Sequence, residues 1–250
     1  MVMGVVLHAS MFYVEGIGAG LGYKLSGRIL TPTSEVLGIV FFFIHTWRMP
    51  VFFLLAGFFA RLMIQKRGAV SLLKNRAVRI VIPLVTCVLI YNLALKFGEV
   101  NELHHLWFLY DLVWMYLLLV VIEKVVRIWP RVVTTIDRLF GSTAKLWWLM
   151  IVLLPATTVA RPGFFNWINT DLGVPGPFFI LGFTYLVIGW FIHRNTQILE
   201  ELAASWKRHA TLASISFAVF LIIGGAVISG ELNEELTGLL WLLGLVISPF

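Results

Sequence analysis

The stretch FFFIHTWRMPVFFLLAGFFA, residues 41–60, is apolar enough to lie in a bilayer, yet it carries His45, Arg48 and Pro50 in its middle. Arg48 stands about halfway along the run, too far from either end for its guanidinium to snorkel easily to the surface. His45 precedes it by three residues and so shares its helical face. Pro50 has no N–H to offer the carbonyl of Thr46, which predicts a kink and a polar notch. An ionisable group inside a membrane span marks function by default, because burying it in hydrocarbon is costly. Three such features within six residues read as the wall of a cavity. The structural alternative is an ion pair with another helix, through Asp111.

The rest of the chain supplies the setting such a helix needs. Of its 250 residues, 60% are hydrophobic and only 13% charged, with a mean hydropathy of +0.92. A soluble domain is roughly half apolar with about a quarter of its residues charged. Apolar runs fall near 1–14, 36–60, 80–97, 105–122, 146–160, 178–192, 210–229 and 237–250, eight candidate helices. The expected fold is therefore all-α, a polytopic transmembrane helix bundle of about eight helices forming one domain over residues 1–250. The alternating pattern of a membrane barrel is absent, as are internal repeats and low-complexity segments. One cysteine, Cys87, excludes an intrachain disulfide and a thiolate metal cluster. The net charge of +6 does not point to nucleic acid, because the basic residues lie between the apolar spans. The first run is no secretory signal: no basic region precedes it, and His8 interrupts it.

The distribution of Lys and Arg orients the bundle. Segment 61–79 holds six, 123–145 five and 193–209 three, fourteen in all, against Lys24, Arg28, Lys96 and Arg161 in the alternate connections. Fourteen against four is a positive-inside asymmetry that places the basic connections in the cytoplasm of a multi-pass protein of the plasma (inner) membrane. The terminal runs 1–14 and 237–250 reach only about 20 Å as helices, short of a hydrocarbon core of roughly 30 Å. A complete protein is expected to extend past both ends.

Other polar residues qualify as candidates. His8 lies in the first run, roughly 9 Å from its outer end at about 1.5 Å per residue; as a lone histidine it is either a satisfied core residue or a catalyst. His104 and His105 open the fourth run beside Trp107 and Tyr110, where they can equally be interfacial anchors. In LLKNRAVRIVIPL, residues 72–84, Arg76 and Arg79 are spaced i, i+3 where a helix enters the membrane from inside. Two guanidiniums on one face suit a phosphate clamp, and they equally suit plain positive-inside charge. No His/Cys/carboxylate spacing suggests a metal, and no glycine-rich phosphate loop follows a strand.

Together VVLHAS at residues 5–10, the quoted second-helix block, the R-x-x-R of NRAVRIVIPL and HHLWFLYDLV at residues 104–113 resemble the acyltransferase family 3 of integral membrane proteins. The H-x-x-R-M-x-V-F-F-x-x-A/S-G wording and HLWFL are most similar to the branch that includes the glucan-modifying C protein, a periplasmic glucan succinyltransferase. The likeness covers residues 4–122; beyond it only the hydropathy agrees. It implies a ten-helix O-acyltransferase taking acetyl, succinyl or similar groups from cytoplasmic acyl-CoA to a glycan or other hydroxyl acceptor, without a metal. It also implies that His8 is the catalytic first-helix histidine, that Arg76 and Arg79 lie near the CoA end, and that His45 and Arg48 are polar positions of the second helix. The family's basic residue about ten positions before the histidine falls outside this chain, and two of the ten helices are missing.

The implied chemistry suits these residue types. A thioester is already activated, so the protein must deprotonate an acceptor hydroxyl and stabilise an oxyanion. Histidine has the pKa for the first task. Arg48 can serve the second, or bind the carboxylate of a succinyl donor. The rival reading is a multi-pass transporter exporting a lipid or glycan, for which internal repeats with interrupted helices are the expected sign. A noncatalytic membrane subunit is the third, and the intramembrane histidine and arginine argue against it.

Overall fold

A computed structural model describes residues 35–94, 102–103, 106–128, 134–135, 172–173, 175 and 178–228. Among these residues there are seven α-helices and no strand. They are α1 Glu35–Arg67, α2 Ala69–Arg76, α3 Ile82–Leu89, α4 Trp107–Ile128, α5 Phe178–Arg194, α6 Gln197–Ala204 and α7 Trp206–Ile228. Two π-helical turns, Ala77–Val81 and Ile90–Ala94, flank α3. The chain divides into two compact units, one of Met1–Val51 with Lys207–Phe250, the other of Phe52–Trp206.

Five of the eight apolar runs fall on described helices: α1, α3 with its π-turns, α4, α5 and α7. The runs at 1–14, 146–160 and 237–250 lie outside the described residues. Two stretches, Trp47–Arg67 and Ala69–Leu93, are long and apolar enough to cross a membrane. Exposed apolar side chains follow the helical repeat along the second of these, at Val78, Ile82, Val85, Leu89 and Leu93. Such a row suits lipid tails and would be a liability against water.

The helices outrun the apolar runs. Segment 61–79, counted above as a connection, is helical throughout except at Gly68. Apolar periodicity does not stop where charge begins: Ile64 and Leu72 are buried while Lys66, Arg67 and Lys74 are exposed. Gly68 has a φ of 82°, a conformation glycine adopts without a Cβ penalty. Its N–H donates to the Ile64 carbonyl at 2.9 Å, closing α1, and its own carbonyl accepts from Leu72 N–H at 3.2 Å, opening α2. Lys66 and Arg67 occupy the last turn of α1, where the helix dipole favours cations.

Proline acts differently at Pro50 and at Pro83. α1 runs through Pro50 as one helix, and Pro50 is buried. At Pro83 the ring meets the carbonyl four residues back, that of Arg79, and supplies no N–H to it. The turn just before Pro83 widens to the π form, with Ile82 N–H donating to the Ala77 carbonyl.

In the unit of residues 52–206, α1 and α5 pack backbone to backbone. A Cβ built at Gly57 would overlap the carbonyl of Leu186, and one at Gly189 would overlap the carbonyl of Leu54. Small residues are what permit such close approach in a membrane. The contacts climb both helices in step. Phe53 lies against Gly182, Gly57 against Leu186, and Arg61 against Trp190; Leu54 lies against Gly189 and Phe58 against His193. Paired numbers that rise together mean that α1 and α5 run parallel, so their C-terminal ends lie at the same end of the unit. α4 packs on both α5 and α2, with Met115 against Gly182. In the other unit, Phe43 of α1 meets Phe217 of α7 edge to face at 5.2 Å.

Candidate functional site

His8, His104 and His105 lie outside the described residues, and His45 belongs to α1. Arg48 is half-buried one turn further along α1. Beside it, the indole Nε1 of Trp47 is buried without a hydrogen-bond partner among the described residues. A half-buried guanidinium offers several donors to an anionic or carbonyl oxygen. Asp111, the partner considered for a structural ion pair, is buried near the start of α4. It has no ion pair among the described residues.

The two arginines of the R-x-x-R occupy different environments. Arg76 ends α2, half-buried, with its guanidinium 4.9 Å from the ring centroid of Tyr116 on α4. Its Nε is buried and has no hydrogen-bond partner among the described residues. Arg79 stands in the π-turn and is exposed. The wider π-turn between them breaks the i, i+3 registration that a continuous α-helix would give.

The structure adds residues that sequence reasoning passed over. At the shared C-terminal end of α1 and α5, the Arg61 guanidinium lies 5.0 Å from the centroid of the Trp190 ring. One turn away the His193 imidazole meets Phe58 edge to face at 4.7 Å. Arg61 counted only as loop charge and His193 not at all. The signal available was the i, i+4 series Phe53, Gly57, Arg61, with small Gly57 flanked by larger groups, but its partner lies far along the chain. His193 falls just past the apolar run 178–192. Burial, and then the positive charges of Arg61 and Lys66, hold its imidazole below the ordinary histidine range.

The opposite end of the same unit is built on packing and hydrogen bonds. Leu84, Val88 and Leu103 form a buried cluster against Leu106, Trp107, Leu109 and Tyr110. Asn92 Nδ2 donates to the Glu102 carbonyl at 2.8 Å, and Tyr110 OH donates to the Gly173 carbonyl at 2.7 Å. HLWFLYDLV thus ties the start of α4 to two connections. Among the described residues no group of three or more His, Cys, Asp or Glu could hold a metal.

Comparison with known proteins gives one match. A family model described as an acyltransferase domain covers residues 1–250, the whole chain. No curated protein and no solved structure matches.

Proposed function

The chain belongs to this family of membrane-associated acyltransferases, and we propose that it moves an acetyl or succinyl group from cytoplasmic acyl-CoA to a hydroxyl of a glycan or another cell-envelope acceptor. The observation that carries this reading is the family match along all 250 residues. Arg48 within α1, and Arg76 and Arg79 where the chain enters the membrane from the cytoplasm, are cations of the kind the chemistry requires, and the lipid-suited row on the second long helical stretch fits a multi-pass protein of the inner membrane. The wording of the second-helix block favours the branch of periplasmic glucan succinyltransferases.

In the proposed reaction His8 takes the proton from the acceptor hydroxyl as its oxygen attacks the thioester carbonyl carbon. The carbonyl oxygen gains negative charge, and Arg48, with His45 three residues earlier on α1, stabilises it. With a succinyl donor, Arg48 instead holds the distal carboxylate, a task suited to a guanidinium. The C–S bond then breaks, and the thiolate of CoA leaves and takes up a proton. Arg76 and Arg79 hold CoA phosphates on the cytoplasmic side.

The test is transfer of a labelled acyl group from acetyl-CoA or succinyl-CoA to envelope glycan in membranes containing the full-length protein. Transfer is expected with the wild type and is expected to vanish with His8→Ala, while expression and membrane insertion persist. Transfer at the wild-type rate in that variant would remove His8 from the mechanism. Export of glycan without acylation would favour the transporter.

A further inference from the structure

Along α2, the π-turn and α3, the positions turned into the unit recur at every fourth residue: Leu72, Arg76, Ile80, Leu84 and Val88. All but Arg76 are buried aliphatic side chains, and Arg76 is half-buried among them. Arg79 stands outside the row and is exposed. α4 packs against both α2 and the π-turn. On it Leu112, Leu119 and Val120 are buried and share the face of Tyr116 by their helical spacing.

A cation inside an apolar row is costly unless something receives its charge. Among the described residues no carboxylate pairs with Arg76, and its Nε has no hydrogen-bond partner. What Arg76 meets is the face of the Tyr116 ring, whose centroid is 4.9 Å from the guanidinium carbon. That ring has little freedom. Tyr116 is 2% exposed, and the neighbouring Met115 packs against Gly182 of α5, so α4 is held between α2 and α5. The plain reading is a structural contact that joins α2 to α4. It leaves unexplained why the position carries a charge, since an aliphatic side chain fills such a place without desolvating one, as at Leu72 and Ile80 one turn to either side.

We propose that Tyr116 is the positioning residue for Arg76, holding its guanidinium where a CoA phosphate reaches the donors. The proposal rests on the acyl-CoA reading above and adds to it a residue that touches neither donor nor acceptor. A mobile arginine must be ordered when its ligand arrives, whereas one already set against a ring has lost that freedom on folding. The attraction is to the ring face, so the tyrosine hydroxyl is dispensable.

The experiment titrates CoA against the full chain in phosphatidylcholine nanodiscs. Tyr116→Leu is expected to weaken binding by about three- to tenfold, the effect of ordering one long side chain at the moment of binding. Tyr116→Phe is expected to stay within about twofold of the wild type. Trifluorophenylalanine in place of Tyr116 keeps the shape of the ring and withdraws electron density from its face. It is expected to bind CoA as weakly as Tyr116→Leu does, and it carries the test if Tyr116→Leu fails to fold. The last arm repeats both replacements in an Arg76→Gln background, where neither should weaken CoA binding further, because the side chain they act through is gone. A merely structural tyrosine would lower affinity equally in both backgrounds, and that result would overturn the proposal. Wild-type affinity in the fluorinated variant would overturn it too. A wild type that binds no CoA would instead overturn the acyl-CoA reading, and with it the ligand assigned to Arg76.

Discussion

Arg76 and Arg79 are identical side chains three residues apart, and the structure gives them different surroundings. Arg76 is half-buried over Tyr116 with an orphaned Nε, so a ligand oxygen that reaches it completes a pre-aimed donor set. Arg79 is exposed, where solvent screening weakens what its charge contributes. Arg76→Lys keeps the charge but loses the planar stack and the Nε donor, and CoA binding should fall by about 1–3 kcal/mol. Arg79→Lys should change it by less than about 0.5 kcal/mol. Titrating CoA against both purified variants decides the point; equal losses would restore the symmetric clamp that the R-x-x-R spacing suggests. Arg48 and Arg76 were legible in the sequence because a charge against an apolar background is a local contrast. Arg61 with Trp190 and Phe58 with His193 were not, because each pair joins residues far apart in the chain, and no local period encodes such a meeting.

Among the helices, the pairing of α1 with α5 depends on two glycines that each accept the other helix's backbone. Gly57→Ala would drive a methyl into the Leu186 carbonyl, and Gly189→Ala would do the same at Leu54. A backbone carbonyl cannot rotate aside as a side chain can, so the helices must separate. The loss should be about 1–3 kcal/mol or more, the usual cost of overpacking. Gly38→Ala is the control: nothing lies within 4 Å of its added Cβ, and alanine is the better helix former by up to about 1 kcal/mol. Thermal unfolding of the purified variants should rank Gly38→Ala at or above wild type and both interface variants clearly below it. Similar melting for all three would mean that α1 and α5 do not depend on this contact. The runs that became α1, α4, α5 and α7 were readable from hydropathy alone. The ends of α1 and the start of α2 were not, because basic residues lower the local hydropathy while leaving helical periodicity intact. The π-turn before Pro83 shows the same limit: a proline announces a disturbance, and the surrounding packing decides whether the helix breaks or widens.

For the molecule as a whole, orientation links charge to chemistry. For the proposed inner-membrane protein, fourteen Lys and Arg in segments 61–79, 123–145 and 193–209 against four in the alternate connections predict that those three segments face the cytoplasm. The parallel α1 and α5 satisfy a condition that this orientation imposes, since segments 61–79 and 193–209 must leave the bundle on one side. Orientation also sets which pool of ligand each arginine meets. A cytoplasmic Arg76 and Arg79 can meet acyl-CoA, and external ones cannot. Single cysteines at Lys66 and at Asp171, each in a Cys87→Ser background, report the arrangement. An impermeant thiol reagent applied to intact cells should label position 171 and spare position 66, and both should label after the membrane is opened. Labelling of position 66 in intact cells with protection at 171 would invert the protein. It would separate both arginines from the cytoplasmic donor and turn the acyl-CoA reading toward a substrate supplied from outside.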